Sequence, residues 1–140
     1  MADQLQLEVV TPQRTILTET VDTIILPGIQ GEMGILPEHV PLLTVMDSGI
    51  LSYTLDNNTI SIAVHEGYAQ VDGKCVRVLV ELAEKPDEID LERAKQAEFN
   101  AKKELSPSSK SESSKDEDNI QKYEIKLKRS IVRQRLVQTI

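Results

Sequence analysis

Tryptophan is absent from this chain, phenylalanine occurs once and tyrosine three times. So few aromatics leave no platform for stacked bases, which argues against single-stranded nucleic acid as a partner. A formal charge of −7 and a pI near 4.9 argue against duplexes, whose phosphates need a basic surface. Cys75 is the single cysteine, so no internal disulfide can form and a reducing compartment fits. No apolar run approaches the ~20 residues that span a bilayer. The opening "MADQLQLEVV" lacks the basic start and long apolar core of a secretory signal. The chain is expected to be soluble and to meet a membrane only indirectly, through a larger complex.

Catalytic groupings are missing as well. His39 and His65 are the two histidines, and neither has a second histidine or cysteine at metal-ligand spacing. His65 falls near a predicted strand end, which implies a packing or surface role. His39 precedes Val40 and Pro41, where a ring nitrogen bonded to a loop carbonyl would be ordinary. Cys75 follows a turn, with nothing nearby to activate a thiolate. Carboxylates are abundant, but no site is evident that would tune them for acid–base work. The chain reads as a non-catalytic protein with no metal.

What is present falls into two parts. With 140 residues, the chain can hold one ordinary domain, or a small one with an appendage. Up to about Lys85 the pattern has period two: Leu5, Leu7 and Val9 alternate with polar residues, as in a strand with one buried face. Pro12 closes that strand. Further strands are predicted over Thr15–Val21, Thr23–Leu26, Leu42–Met46, Ile50–Leu55, Ile60–Val64, Tyr68–Val71 and Cys75–Val80. "DNN" (56–58) and "DG" (72–73) read as hairpin turns, because Asn, Asp and Gly accept positive φ. Many short strands joined by tight turns predict a β-sandwich or barrel.

After Pro86 the period changes. Asp87 is a candidate helix N-cap, and Ala94, Ala97, Ala101 and Leu105 recur at helical spacing. These small side chains either admit a second helix closely or merely reflect the helix propensity of alanine. "SPSSKSESSKDED" (106–118) holds six serines and no apolar residue, the composition of a flexible connector. Beyond it Ile120, Tyr123, Leu127 and Ile131 predict a second amphipathic helix running to the C-terminus. Residues 1–118 carry 10 basic and 22 acidic side chains, and residues 119–140 carry 6 and 1, so the balance passes from −12 to +5. A basic helix on an acidic protein can dock on its own body or on an acidic partner, or can simply be a solvated face.

The stretch "GEMGILPEHVPLL" (31–43) is the most unusual. It lacks the Gly-Lys-Ser/Thr ending of a phosphate loop, and no helix pattern follows to supply an N-terminal dipole. Glycines that permit tight turns and prolines that stiffen the path predict a rigid loop exposing Met33, Ile35 and Leu36 as a contact surface.

These features together resemble the ε subunit of F-type ATP synthases along essentially the whole chain. "LPGIQGEMGILPEHVPLLT" is similar to that family's Gly-x-x-Gly-Ile/Val-Leu loop followed by His-x-Pro-Leu, and "VRVLVELAE" with "IDLERA" to its last strand and first C-terminal helix. The resemblance implies a β-sandwich (1–85) followed by a two-helix antiparallel hairpin (86–140). It implies a rotor subunit that couples the γ subunit to the polar loops of the c-ring. Gly31, Glu32, Met33, Gly34, Glu38 and His39 then belong near those loops. The hairpin would be regulatory, extending toward the catalytic α and β subunits to block hydrolysis. Lys126, Arg129, Arg133 and Arg135 would be its contacts to an acidic segment of β.

Some bacterial members also bind ATP through Ile/Leu-Asp-x-x-Arg-Ala. Ile89, Asp90, Arg93 and Ala94 match that motif, with Glu84, Arg129 and Arg133 at accompanying positions. Guanidinium forks suit phosphate oxygens. A helix cap at Asp90 and an Arg paired with an interhelical acid would account for the same residues without a ligand. Asn100 departs from the Arg of the ATP-binding examples, and Glu66 stands where the family commonly has glycine. No cofactor is required; ATP would be a regulatory ligand. The alternative reading is a stand-alone ATP-sensing module. The implied location is the cytoplasmic face of a bacterial inner membrane or the stromal face of a thylakoid.

Overall fold

Leu5, Leu7 and Val9 point into the core from strand β1 (Leu5–Val10), as their alternation requires. Thr11 turns the chain after β1, its hydroxyl donating to the Arg14 carbonyl at 3.1 Å, and β2 (Thr15–Val21) returns antiparallel. The computed structural model describes residues 3–106 and 117–138. Two compact units divide the chain, Met1–Pro86 and Asp87–Ile140.

The first unit is a β-sandwich. Its remaining strands are β3 (Thr23–Gly28), β4 (Gly31–Ile35), β5 (His39–Met46), β6 (Gly49–Leu55), β7 (Asn58–Gly73) and β8 (Cys75–Glu84). The strand order is β2-β1-β8-β7-β5-β3-β4, with β6 pairing both β3 and β7. β1 lies parallel to β8, and the other pairings are antiparallel. Asp56 and Asn57, with φ of 52° and 66°, form the two-residue turn between β6 and β7 that "DNN" predicts.

β7 binds the layers together. Residues Asn58–Val64 pair with β6 and Gly67–Gly73 with β5, while β8 follows both halves. The sequence pattern predicts two strands there, Ile60–Val64 and Tyr68–Val71; the structure has one. His65, Glu66 and Gly67 interrupt the apolar alternation, but the ladder to β8 continues past them, and β8 itself runs four residues beyond the predicted Val80. Leu26, Ile24, Ile35, Leu51 and Ile62 fill the core with the inward residues of β1. Tyr53 joins them; burial first, and the charge of Glu19 second, push its phenol above the ordinary value and keep it neutral.

The second unit pairs two helices. A single 3-10 turn (Pro86–Glu88) precedes α1 (Leu91–Leu105), which packs on α2 (Glu117–Gln138). The N-cap of α1 is Asp90, whose Oδ1 accepts from the Arg93 N–H at 3.2 Å, and not the predicted Asp87, which the 3-10 turn takes up. Ala94 and Ala101 are buried where the helices approach, so the alanine stripe does provide a close contact. On α2 the predicted apolar stripe holds only in part. Ile120 and Ile131 are exposed, while Tyr123 and Leu127 are half-buried and share their face with buried Ser130 and half-buried Gln134. Val132 and Leu136, outside the predicted stripe, are the buried apolar residues of α2, so the predicted positions misplace its buried side. Residues 107–116, most of the expected connector, lie outside the described residues, and Glu117 already opens α2.

Candidate interaction surfaces

Gly28 and Gly31 make the turn between β3 and β4, where Gly31 has φ 130° and a Cβ on Gly28 would lie 2.9 Å from the Gly31 carbonyl. The residues that follow are a strand, β4, and not the predicted rigid loop. Period two carries Met33 and Ile35 inward, Ile35 becoming fully buried, so of the three residues expected to be exposed only Leu36 is. A second turn, Leu36–His39, closes through His39 N–H to the Leu36 carbonyl at 3.2 Å, with Pro37 and then Glu38 (φ 65°) at its centre. His39 Nδ1 lies 2.7 Å from the carbonyl of Val40, a backbone partner within β5 where a loop carbonyl was expected.

The predicted c-ring contacts are therefore spread out. Gly31 and Glu32 begin β4, and Glu38 and His39 follow its other end. Five strand residues separate the two turns by about 15 Å. Glu32 and Gly34 are exposed along β4, the last strand of the sheet order, while Met33 packs on the core.

A second surface was not anticipated. Val45 pairs with Tyr68, Tyr68 with Leu79, and Leu79 with Val10, forming one apolar row across four strands. Val45, Tyr68 and Leu79 are 45 %, 55 % and 43 % exposed. Exposed Ile29 extends the row, its N–H donating to the Val45 carbonyl at 3.1 Å. The signal was available in "VRVLVEL": an unbroken apolar run at Val78–Val80 belongs to a strand covered on both faces.

His65 is also placed differently from expectation. It sits inside β7, fully buried, with Nε2 3.0 Å from Glu84 Oε1 and Nδ1 3.3 Å from Ser48 Oγ. Ser48 Oγ lies 2.9 Å from Glu66 Oε1, to which it donates. Serine, histidine and carboxylate are the members of a hydrolytic triad, but the single hydroxyl hydrogen of Ser48 goes to Glu66 and the ring has no exposed edge. The chain of contacts instead ties the β5–β6 turn to β7 and β8.

In the helical unit, Lys126, Arg129 and Arg133 stand on one face of α2 at spacings of three and four, with the Lys126 ammonium 5.5 Å from the Tyr123 ring centroid. Arg135 lies nearly opposite Lys126 on the helix, so the four predicted inhibitory residues do not share one face. Of the residues matching the ATP motif, Asp90 caps α1, Arg93 is exposed, Ile89 is half-buried and Ala94 is buried. Glu84 belongs to the sandwich, where it meets His65. Asn100 accepts from the Gln96 amide at 3.0 Å.

A polar clasp between the helices, which the sequence did not reveal, is centred on Glu98. Glu98 Oε2 lies 2.9 Å from Lys102 Nζ, and Glu98 Oε1 accepts from Gln134 Nε2 at 2.8 Å. The bond from Lys102, and then that from Gln134, hold the Glu98 carboxyl below the usual carboxylate range. A lowered folded value means a contribution that is complete above the unfolded value, about 4.3, and lost as pH falls through the lower one. The stability difference between wild type and Glu98→Gln, followed by thermal melting, should be constant near neutrality and vanish in acid. A difference that persisted unchanged in acid would refute this.

Among the described residues no cluster could hold a metal, and no helix is long and apolar enough to cross a membrane. Residues 4–86 match the family model for the ATP synthase Delta/Epsilon chain, beta-sandwich domain. The ATP synthase epsilon chain of Geotalea daltonii is 45% identical over 136 residues, covering 95% of this chain and 93% of that one. That of Carboxydothermus hydrogenoformans is 49% identical over 105 residues, covering 75% and 78%. A chain of the Euglena gracilis mitochondrial ATP synthase, solved with OSCP, F1 and c-ring, superposes with a TM-score of 0.78 at 23% identity, covering 97% of this chain and 80% of that one. The last likeness concerns the fold.

Proposed function

This chain belongs to the ATP synthase epsilon chain family, and on that premise we propose that it is a rotor subunit of the central stalk, coupling the γ subunit to the c-ring. It is a structural and regulatory component of the complex and not its catalytic part. The observation that carries the proposal is the apolar row Val45–Tyr68–Leu79–Val10, a patch of the kind that marks a protein interface. It is assigned to γ. The turns at Gly31–Glu32 and at Glu38–His39, with Met33 and Gly34 between them, are assigned to the c-ring loops. Their separation means that one turn, not both, reaches a given loop at a time. The location that follows is peripheral, on the cytoplasmic face of a bacterial membrane, since the Geotalea and Carboxydothermus relatives are bacterial.

The helical unit is proposed as the brake on ATP hydrolysis. Lys126, Arg129 and Arg133, on one face, are the favoured contacts to the catalytic α and β subunits, and Arg135 on the other face would need a separate partner. A helix pair whose facing side chains include small alanines and the Glu98–Gln134 bond is a candidate for opening, with buried Val132 and Leu136 setting what opening would cost. ATP is proposed only as a regulatory ligand of the helical unit, on Ile89, Asp90, Arg93, Ala94, Arg129 and Arg133, whose arginines suit phosphate oxygens.

Hydrolysis by an α, β and γ assembly should be suppressed by the full chain and not by a version ending at Lys85, while both bind. Equal hydrolysis would remove the brake and leave the stalk role standing; failure of both to bind would overturn the stalk role. Saturable binding of ATP to the full chain below millimolar concentration would support the regulatory ligand, and its absence would exclude it.

A further inference from the structure

Phe99 is the one phenylalanine of the chain, and it stands 64 % exposed on α1. The helical turn puts it about 140° from Ala94 and about 160° from Ala101, the residues buried where the helices approach. The ring therefore takes no part in the alanine seam. An aromatic on the solvent side of a helix is also a poorer helix former than the alanine or lysine that could stand there.

Its charged neighbours on that face are of one sign. Lys95 and Lys103 stand one turn before and after it, and Lys102 three positions on, so all three border the ring. Lys102 is bound to Glu98 at 2.9 Å, whereas Lys95 reaches Glu92 only at 4.0 Å, and that carboxylate is 87 % exposed. Lys103 has no ion pair among the described residues. Gln96 and Asn100, bonded to each other at 3.0 Å, border the ring without charge. A second copy of the helix is a poor partner for this face. Two antiparallel copies centred on Phe99 would set Lys95 opposite Lys103 twice, and like charges repel.

We propose that this face of α1 docks on the catalytic α and β subunits, with Phe99 entering an apolar recess bordered by carboxylates. The proposal rests on the reading of the helical unit as a brake, and adds a contact on α1 to the cations of α2. Burial of the ring supplies affinity, and the lysines select an acidic surround. Because the face lies away from the alanine seam, it can engage before the helices part.

Phe99→Ala separates this from a structural role. Alanine is the better helix former and the ring is largely exposed, so the variant should melt at or slightly above the wild-type temperature. The concentration of full-length chain that half-suppresses hydrolysis by the α, β and γ assembly should nevertheless rise about tenfold, and Lys103→Gln should act in the same direction. Added salt should weaken suppression by Lys103→Gln less steeply than suppression by wild type. Wild-type suppression by both variants would overturn the proposal while leaving the brake intact. If Phe99→Ala then abolished binding to vesicles of acidic phospholipid instead, the face would belong to a membrane. A wild-type chain that does not suppress hydrolysis would bring down both readings.

Discussion

Gly67→Ala should destabilise the sandwich by at least about 3 kcal/mol, enough to lower its melting temperature by roughly 10 °C or more. A Cβ at position 67 would overlap the Leu79 carbonyl oxygen and lie 2.7 Å from the Val80 Cα. Both are backbone atoms of the neighbouring strand, so no side-chain rotation can relieve the contact. Only separation of β7 from β8 can, and that pairing runs from Ala63 to Asp72 along the middle of the sheet. Gly34→Ala supplies the control. Nothing lies within 4 Å of its added Cβ, and its φ is not in the left-handed region. Its cost should stay within about 0.5 kcal/mol by urea unfolding. Similar costs for the two variants would show that β7 and β8 can part locally without loss of the fold.

The contrast between these glycines also marks how far the sequence could be read. Leu5, Leu7 and Val9 announce a half-buried strand because their spacing is local, and Asp56–Asn57 announce a turn because few other residues accept that backbone. β4 was hidden, since Gly31 and Gly34 break the alternation that Met33 and Ile35 would otherwise show. The family resemblance pointed to the turn region and to the helical residues, but it gave no hint of the apolar row. That row depends on register, which brings Val45, Tyr68 and Leu79 together from three separate strands. The Glu98–Gln134 bond spans 36 residues and rests on the facing of two helices, which no local pattern encodes. A departure from the usual sequence was the better guide: Glu66, in place of a glycine, keeps a glycine-like backbone and accepts from the Ser48 hydroxyl that also meets His65.

His65 offers the other large effect. Its ring is the middle link between Ser48, which is joined to Glu66, and Glu84, and it lies where β7 passes from one partner strand to the other. His65→Ala removes a fully buried ring and two contacts at once, leaving a cavity beside a carboxylate that has lost a partner. The expected cost is about 3 kcal/mol, the cavity and the stranded polar groups contributing together. His65→Phe fills most of the volume without the bonds, whereas the side-chain amide of His65→Gln can still donate to Glu84. If the hydrogen-bonded chain matters, urea unfolding should rank Gln above Phe above Ala in stability. A ranking with Phe above Gln would assign the site to packing alone.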